Sequence, residues 1–183
     1  MKRLNLLGSA SLRYGTANSL SVTAMLSDLH YETPGGLNET QFKENPEQAR
    51  PAAGPSPGAE EQHAGIYNTT FFGGITNTVS IGSSLRHVVS VFGTVTDYKN
   101  PFITNYELRD EKNAGVRSFL EYSYANGRVE IKVHAGIEGQ VGNQEISNYD
   151  NIGGKKGALM SDDEARIRQG VYFSKITVDL ADR

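Results

Sequence analysis

Between residues 128 and 138 hydrophobic and polar positions alternate without a break. Val129, Ile131, Val133, Ala135 and Ile137 share one parity; Glu130, Lys132, His134, Gly136 and Glu138 share the other. Successive side chains of a strand point to opposite faces, whereas a helix would scatter the apolar set around its cylinder. The pattern predicts a strand with one oily and one wet face. Similar alternation recurs along the chain. Residues 6–14 form a loose strand rich in Ser and Leu, and residues 19–29 alternate across the turn chemistry of Gly15-Thr16-Ala17-Asn18. Residues 66–81 and 85–96 flank Gly82-Ser83-Ser84 as a second hairpin. Residues 116–124 lead through Ala125-Asn126-Gly127, a strong hairpin signal, into the strand at 128–138. A last strand covers residues 170–180, giving about seven in all.

The connections sort themselves. After the first, third and fifth strands they are short turns. After the second, fourth and sixth they are long and polar, over residues 31–63, 97–115 and 142–169. Pro34, Pro46, Pro51, Pro55 and Pro57 preclude a ladder strand or long helix through most of the first. A loop of that length is expected to be functional or disordered. In the third, Ser161-Asp162-Asp163-Glu164 reads as a capping box opening one or two turns of helix. An up-and-down meander with these connections puts tight turns at one rim and long loops at the other, as in a transmembrane β-barrel. The expected strands, nine to eleven residues long, suit a tilted membrane crossing. Tyr14, Tyr31, Phe72, Tyr98 and Tyr124 fall near strand ends, where an interfacial belt would lie. The alternatives are a soluble β-sandwich acting as a binding or adhesion module, whose Greek-key connections give no reason for such sorting, and a small self-closed barrel. The fold class expected is therefore all-β, an antiparallel up-and-down barrel segment.

Composition narrows this further. The 183 residues carry a net charge of -3 and no basic stripe, which argues against a nucleic-acid partner. Cysteine is absent, so disulfides, thiolate metal sites and a cysteine nucleophile are excluded. No apolar run is long enough for a membrane helix, and the apolar stretch near Met1 is too short and broken to read as a signal peptide. The four histidines, His30, His63, His87 and His134, are dispersed without metal-ligand spacing. Gly153-Gly154-Lys155-Lys156-Gly157 lacks P-loop spacing and reads as a loop tip. No nucleophile stands beside a base, so the expectation is a non-enzyme without cofactor or metal.

Four segments carry a more specific likeness. Tyr31-Glu32-Thr33-Pro34-Gly35-Gly36-Leu37, Gln48-Ala49-Arg50-Pro51, Ala64-Gly65-Ile66-Tyr67-Asn68 and Lys99-Asn100-Pro101-Phe102-Ile103-Thr104-Asn105-Tyr106 resemble TonB-dependent outer-membrane receptors of the ferric-siderophore and iron-citrate type. Phe119-Leu120-Glu121-Tyr122 and the closing strand are similar too. The resemblance implies the Gram-negative outer membrane, a barrel of about twenty-two strands with a plugged lumen, and import of an iron chelate energised through TonB. Residues 1–183 would be a partial barrel domain, an internal fragment or the product of a truncated gene, without the plug through which TonB acts. An anionic chelate is met by Arg, with aromatic and amide groups shaping the pocket. On that ground Arg50, His63, Tyr67, Asn105, Tyr106 and Arg109, in or beside the long connections, are the candidate ligand contacts. Arg117, Glu121, Glu130, Lys132 and Glu138 would line the lumen against the plug.

Overall fold

The computed structural model describes residues 1–180. It contains β1 (Lys2–Tyr14), β2 (Asn18–Glu32), α1 (Glu39–Glu44), β3 (Gly65–Ile81), β4 (Leu85–Pro101), β5 (Tyr106–Asn126), β6 (Val129–Ile152) and β7 (Lys155–Leu180). The strands form one sheet in the order β1 to β7, each antiparallel to the next. The fold is thus all-β and up-and-down, as the alternation predicts. Among the described residues no second sheet packs on it, so they do not form the sandwich alternative. β1 and β7 are not paired with each other, which also removes the small self-closed barrel.

Two expectations about the connections are corrected. Among the described residues only 33–64 form a long loop. The expected loops at 97–115 and 142–169 are largely strand, because β4 and β5 continue to Pro101 and Tyr106, and β6 and β7 to Ile152 and Lys155. The strands therefore run from 13 to 26 residues, beyond the nine to eleven expected. Gly153 and Gly154 close the last hairpin with φ of 58° and 79°, the positive values a tight two-residue turn requires. Ser161, Asp162, Asp163 and Glu164 lie within β7 rather than opening a helix. Each of the four pairs with a residue of β6, so the ladder holds the segment extended rather than helical.

The three turns between β1 and β2, β3 and β4, and β5 and β6 are stepped. Ser19, the second residue of β2, pairs with Thr78, so β3 runs two residues further toward the turns than β2. Leu85, which begins β4, pairs with Tyr122, and β5 continues four residues further to Asn126. Across four strand spacings, about 19 Å, the turns therefore shift by about 20 Å along the strands. A level rim then requires an inclination of about 45°, close to the tilt of barrel strands.

The two faces differ sharply. Along one lie Val22, Ile75, Val91, Val116, Ile137 and Ile176, largely uncovered: Val91 is 57% exposed and Ile176 68%. This apolar band ends at a row of consecutive cross-strand partners, Asp28, Thr69, Asp97, Asp110, Glu145 and Glu164. Tyr14 and Tyr124 flank the band at the turn end, but Tyr31, Phe72 and Tyr98 belong to the opposite face. At the far end the aromatic residues on the apolar face are instead Tyr67, Tyr106 and Tyr149, the last two paired with each other.

On the polar face, aromatic rings fill the space left by glycines. Phe92 lies between Gly74 and Gly115, and Phe119 opposes Gly136. A Cβ on Gly115 would come 2.6 Å from Phe92 Cζ; one on Gly136 would collide with Phe119 and the Ser118 carbonyl. Gly136→Ala is expected to destabilise the sheet by about 1–3 kcal/mol through overpacking. Gly139→Ala, where a Cβ meets nothing within 4 Å, should be nearly neutral. Urea midpoints of the protein refolded in lipid vesicles check the contrast.

Candidate ligand-binding rim

The long loop is built onto the ends of two hairpins. Its helix α1 begins at Asn38, whose side chain accepts from Gln41 N at 2.9 Å while Gln41 Oε1 accepts from Asn38 N at 3.0 Å. This reciprocal cap gives the six-residue helix a defined start. The proline-rich remainder is folded by backbone bonds from Arg50 N to Pro34 O, Ala59 N to Arg50 O and Ala64 N to Ala59 O. Ile103, from the β4–β5 turn, inserts between Ala59 and Ala64, with Ala49 and Phe102 against them. Gly35, at φ 72°, faces Ile103 so closely that a Cβ there would lie 2.9 Å from Ile103 Cδ1.

Two buried amides fasten this assembly. Gln62 Nε2 donates to the carbonyls of Ile103 and Asn151, both at 3.1 Å, and Gln62 Oε1 accepts from Gly153 N at 2.8 Å. Asn151 Nδ2 donates to the carbonyls of Gln62 at 2.9 Å and Phe102 at 2.6 Å, and Asn151 Oδ1 accepts from Gly154 N at 2.8 Å. Buried polar side chains persist where their hydrogen bonds are satisfied, and here both NH₂ groups donate twice and both oxygens accept. The loop is thereby joined to the tips of both the β4–β5 and β6–β7 hairpins. Neither residue stands out in the sequence, because a lone Gln or Asn in a polar stretch gives no signal of burial.

The six candidate contacts are dispersed by this geometry. Arg50 sits in the loop and forms no ion pair among the described residues. His63 is exposed, holds φ 48° and packs against Gly154. Asn105 donates to Asn148 Oδ1 at 2.8 Å at the hairpin tip. Tyr67 and Tyr106 lie on the apolar face, opposite to Arg109; Tyr67 stacks on His30 with ring centroids 4.0 Å apart. Arg109 is in β5, not in a loop, and its charge is already matched by Glu107 at 2.5 Å and Glu111 at 3.3 Å. Its guanidinium lies 5.1 Å from the Tyr98 ring centre. Both residues stand beyond the carboxylate row. Burial opposes the Arg109 charge, but its bonds to Glu107 and Glu111 outweigh this and raise its pKa above the ordinary arginine value. Burial, then the charge of Glu107, raises that of the Tyr98 phenol.

Beside the loop is a cleft of about 410 Å³ whose wall includes Glu32, Glu47, Glu60 and His63. Among the described residues no group of three or more His, Asp or Glu is arranged to hold a metal ion. Arg117, Glu121, Glu130, Lys132 and Glu138 do share the polar face, toward the tight turns. Glu121 binds Arg86 at 2.5 Å and His134 Nε2 at 2.8 Å, Lys132 binds Glu130 at 2.8 Å, and Arg117 approaches Glu138 at 3.6 Å. Arg117 also lies 4.4 Å from the Phe173 ring centre. This ladder is neutralised internally and presents a polar, half-exposed surface.

No known protein-family model matches the sequence, and no curated protein matches it. Among solved structures the chain is similar to the ferric citrate transporter FecA in its unliganded form, with a TM-score of 0.73 and 12% identity. The match covers 97% of this chain and 27% of that one, so the chain spans about a quarter of the transporter's length. At that identity the likeness is one of fold: seven consecutive antiparallel strands that match part of a β-barrel structure.

Proposed function

We propose that this chain forms part of the wall and outer rim of an outer-membrane transporter that imports an iron chelate, of the ferric-siderophore or ferric-citrate type, with energy relayed through TonB. The observation that carries the reading is the asymmetry of the sheet. One face is a band of uncovered Val, Ile, Leu and Tyr ending at a charged row, and the other is polar and ion-paired. Acyl chains suit the first face and an aqueous lumen or plug surface the second. The barrel fold of the ferric citrate transporter supports the same reading. The loop at the rim then lies at the outer surface, where a scarce chelate would be met, and Arg50 offers the positive charge that Arg109, held between two glutamates, does not.

The test is uptake of ⁵⁵Fe-citrate and ⁵⁵Fe-siderophores by cells whose only receptor is the gene product carrying this chain. Uptake is expected in TonB-competent cells and absent in TonB-deficient ones. Arg50→Ala is expected to raise the half-saturating chelate concentration on the order of tenfold while membrane abundance stays unchanged. Equal uptake with and without TonB would overturn the proposal.

A further inference from the structure

The outward face of β5, β6 and β7 changes character in three bands. Nearest the turns it is apolar and sunken, because Val116 is followed across the sheet by Gly139 and Gly170. A hollow of about 570 Å³ lies over these two glycines and reaches up to Arg168. Lys112 and Arg168 come next and share the lining of a second hollow of about 600 Å³. Neither forms an ion pair among the described residues, whereas Arg166 beside them is bound by Glu164 at 2.8 Å. Farthest from the turns, Asp110, Glu145 and Glu164 wall a third hollow of about 550 Å³ together with Leu108, Ser147 and Tyr149. Height fixes what each band meets. Lys112 stands about 14 residues along β5 from Asn126 at the turn end, which at the barrel inclination is about 33 Å above the turns. A hydrocarbon layer of about 30 Å gives way to headgroups at that level.

The order from the turns outward is thus acyl-chain surface, cations at the boundary, and carboxylates above it. Two strands and one pleat step separate Lys112 from Arg168, about 12 Å between backbones, so both side chains can reach one phosphate between them. A second phosphate has no such partners. Of the neighbouring cations Arg166 is held by Glu164 and Lys99 lies 3.8 Å from Asp97. The carboxylates beyond repel a further anion, but they are strong acceptors for hydroxyl groups. A sugar supplies such hydroxyls directly beside its phosphate. We propose that this face holds an outer-leaflet glycolipid whose acylated sugar carries a single phosphate. The phosphate sits on Lys112 and Arg168, sugar hydroxyls donate to Asp110, Glu145 and Glu164, and one acyl chain lies in the hollow over Gly139 and Gly170. The assignment rests on the membrane-wall reading and adds to it a specific lipid.

The test measures, by native mass spectrometry, how the detergent-purified gene product retains three synthetic acylated diglucosamines bearing two, one and no phosphates. EDTA is present, so that no divalent cation bridges a phosphate to a carboxylate. The singly phosphorylated lipid is expected to be held about tenfold more tightly than either of the others. Lys112→Ala with Arg168→Ala should erase its advantage over the unphosphorylated lipid. Asp110→Asn with Glu145→Gln should erase its advantage over the doubly phosphorylated one. Gly139→Leu, placed where a Cβ meets nothing within 4 Å, should reduce retention of all three without lowering the folded fraction. Equal retention of the three lipids, a preference for two phosphates, or unchanged retention by Gly139→Leu would overturn the proposal and leave the transporter reading standing. Absence of the protein from the membrane would overturn both.

Discussion

Ile75→Arg is expected to prevent accumulation in the outer membrane, whereas Thr76→Arg, one residue along, is expected to leave it intact. Ile75 stands on the apolar face between Val22 and Val91 and is 51% exposed. Thr76 stands on the polar face, with its hydroxyl 2.8 Å from Ser90 Oγ. An arginine facing lipid near the bilayer midplane costs about 2–4 kcal/mol, while one facing an aqueous lumen costs little. In water the order would reverse, since a charge would replace an uncovered isoleucine at no loss of core. Heat-modifiable gel mobility of membrane fractions reads the result. Assembly of Ile75→Arg at parental levels would count directly against lipid on that face.

The second large effect is at the rim. Asn151→Asp removes the two donors directed at the carbonyls of Gln62 and Phe102 and sets a carboxylate oxygen against both. Leaving these buried groups opposed is expected to cost about 3 kcal/mol or more. The loop would then open on the order of a hundredfold more often. Trypsin added to intact cells should cleave after Lys43, in exposed α1, correspondingly faster. Asn148→Asp keeps the acceptor that Asn105 uses and should change cleavage little. Equal cleavage of the two variants would mean that the loop is held by other contacts.

The strand pattern was legible only where the sheet has two different surroundings. Across the band, as at residues 129–141, one side is apolar and the other polar, so alternation survives in the sequence. Around the carboxylate row it disappears. In Glu107-Leu108-Arg109-Asp110-Glu111-Lys112-Asn113 both parities are largely polar, yet every residue pairs with β4 and β6. Those residues read as loop because hydropathy records surroundings, not hydrogen bonding. The same cause concealed the outer parts of β6 and β7 and made Ser161 to Glu164 resemble a helix cap. Parity also separates Tyr67 and Tyr106 from Arg109: odd and even positions of β5 face opposite ways, which an assignment to loops left out of account. The ladder from Arg117 to Glu138 was recoverable because it lies within the alternating region. The Gln62 and Asn151 pair was not, since their meeting depends on how the proline-rich loop folds back over the hairpins.

That pair joins positions 89 residues apart, which sets an order of assembly. Until β6 has been laid down, the carbonyls of Phe102 and Gln62 and the side-chain amide of Gln62 have no Asn151 to meet. The first loop emerges early from the ribosome and is completed late, after the closure entropy of the intervening strands has been overcome. During that interval its backbone is open to proteases and chaperones, so an unfastened loop marks a chain whose β6–β7 hairpin has yet to form.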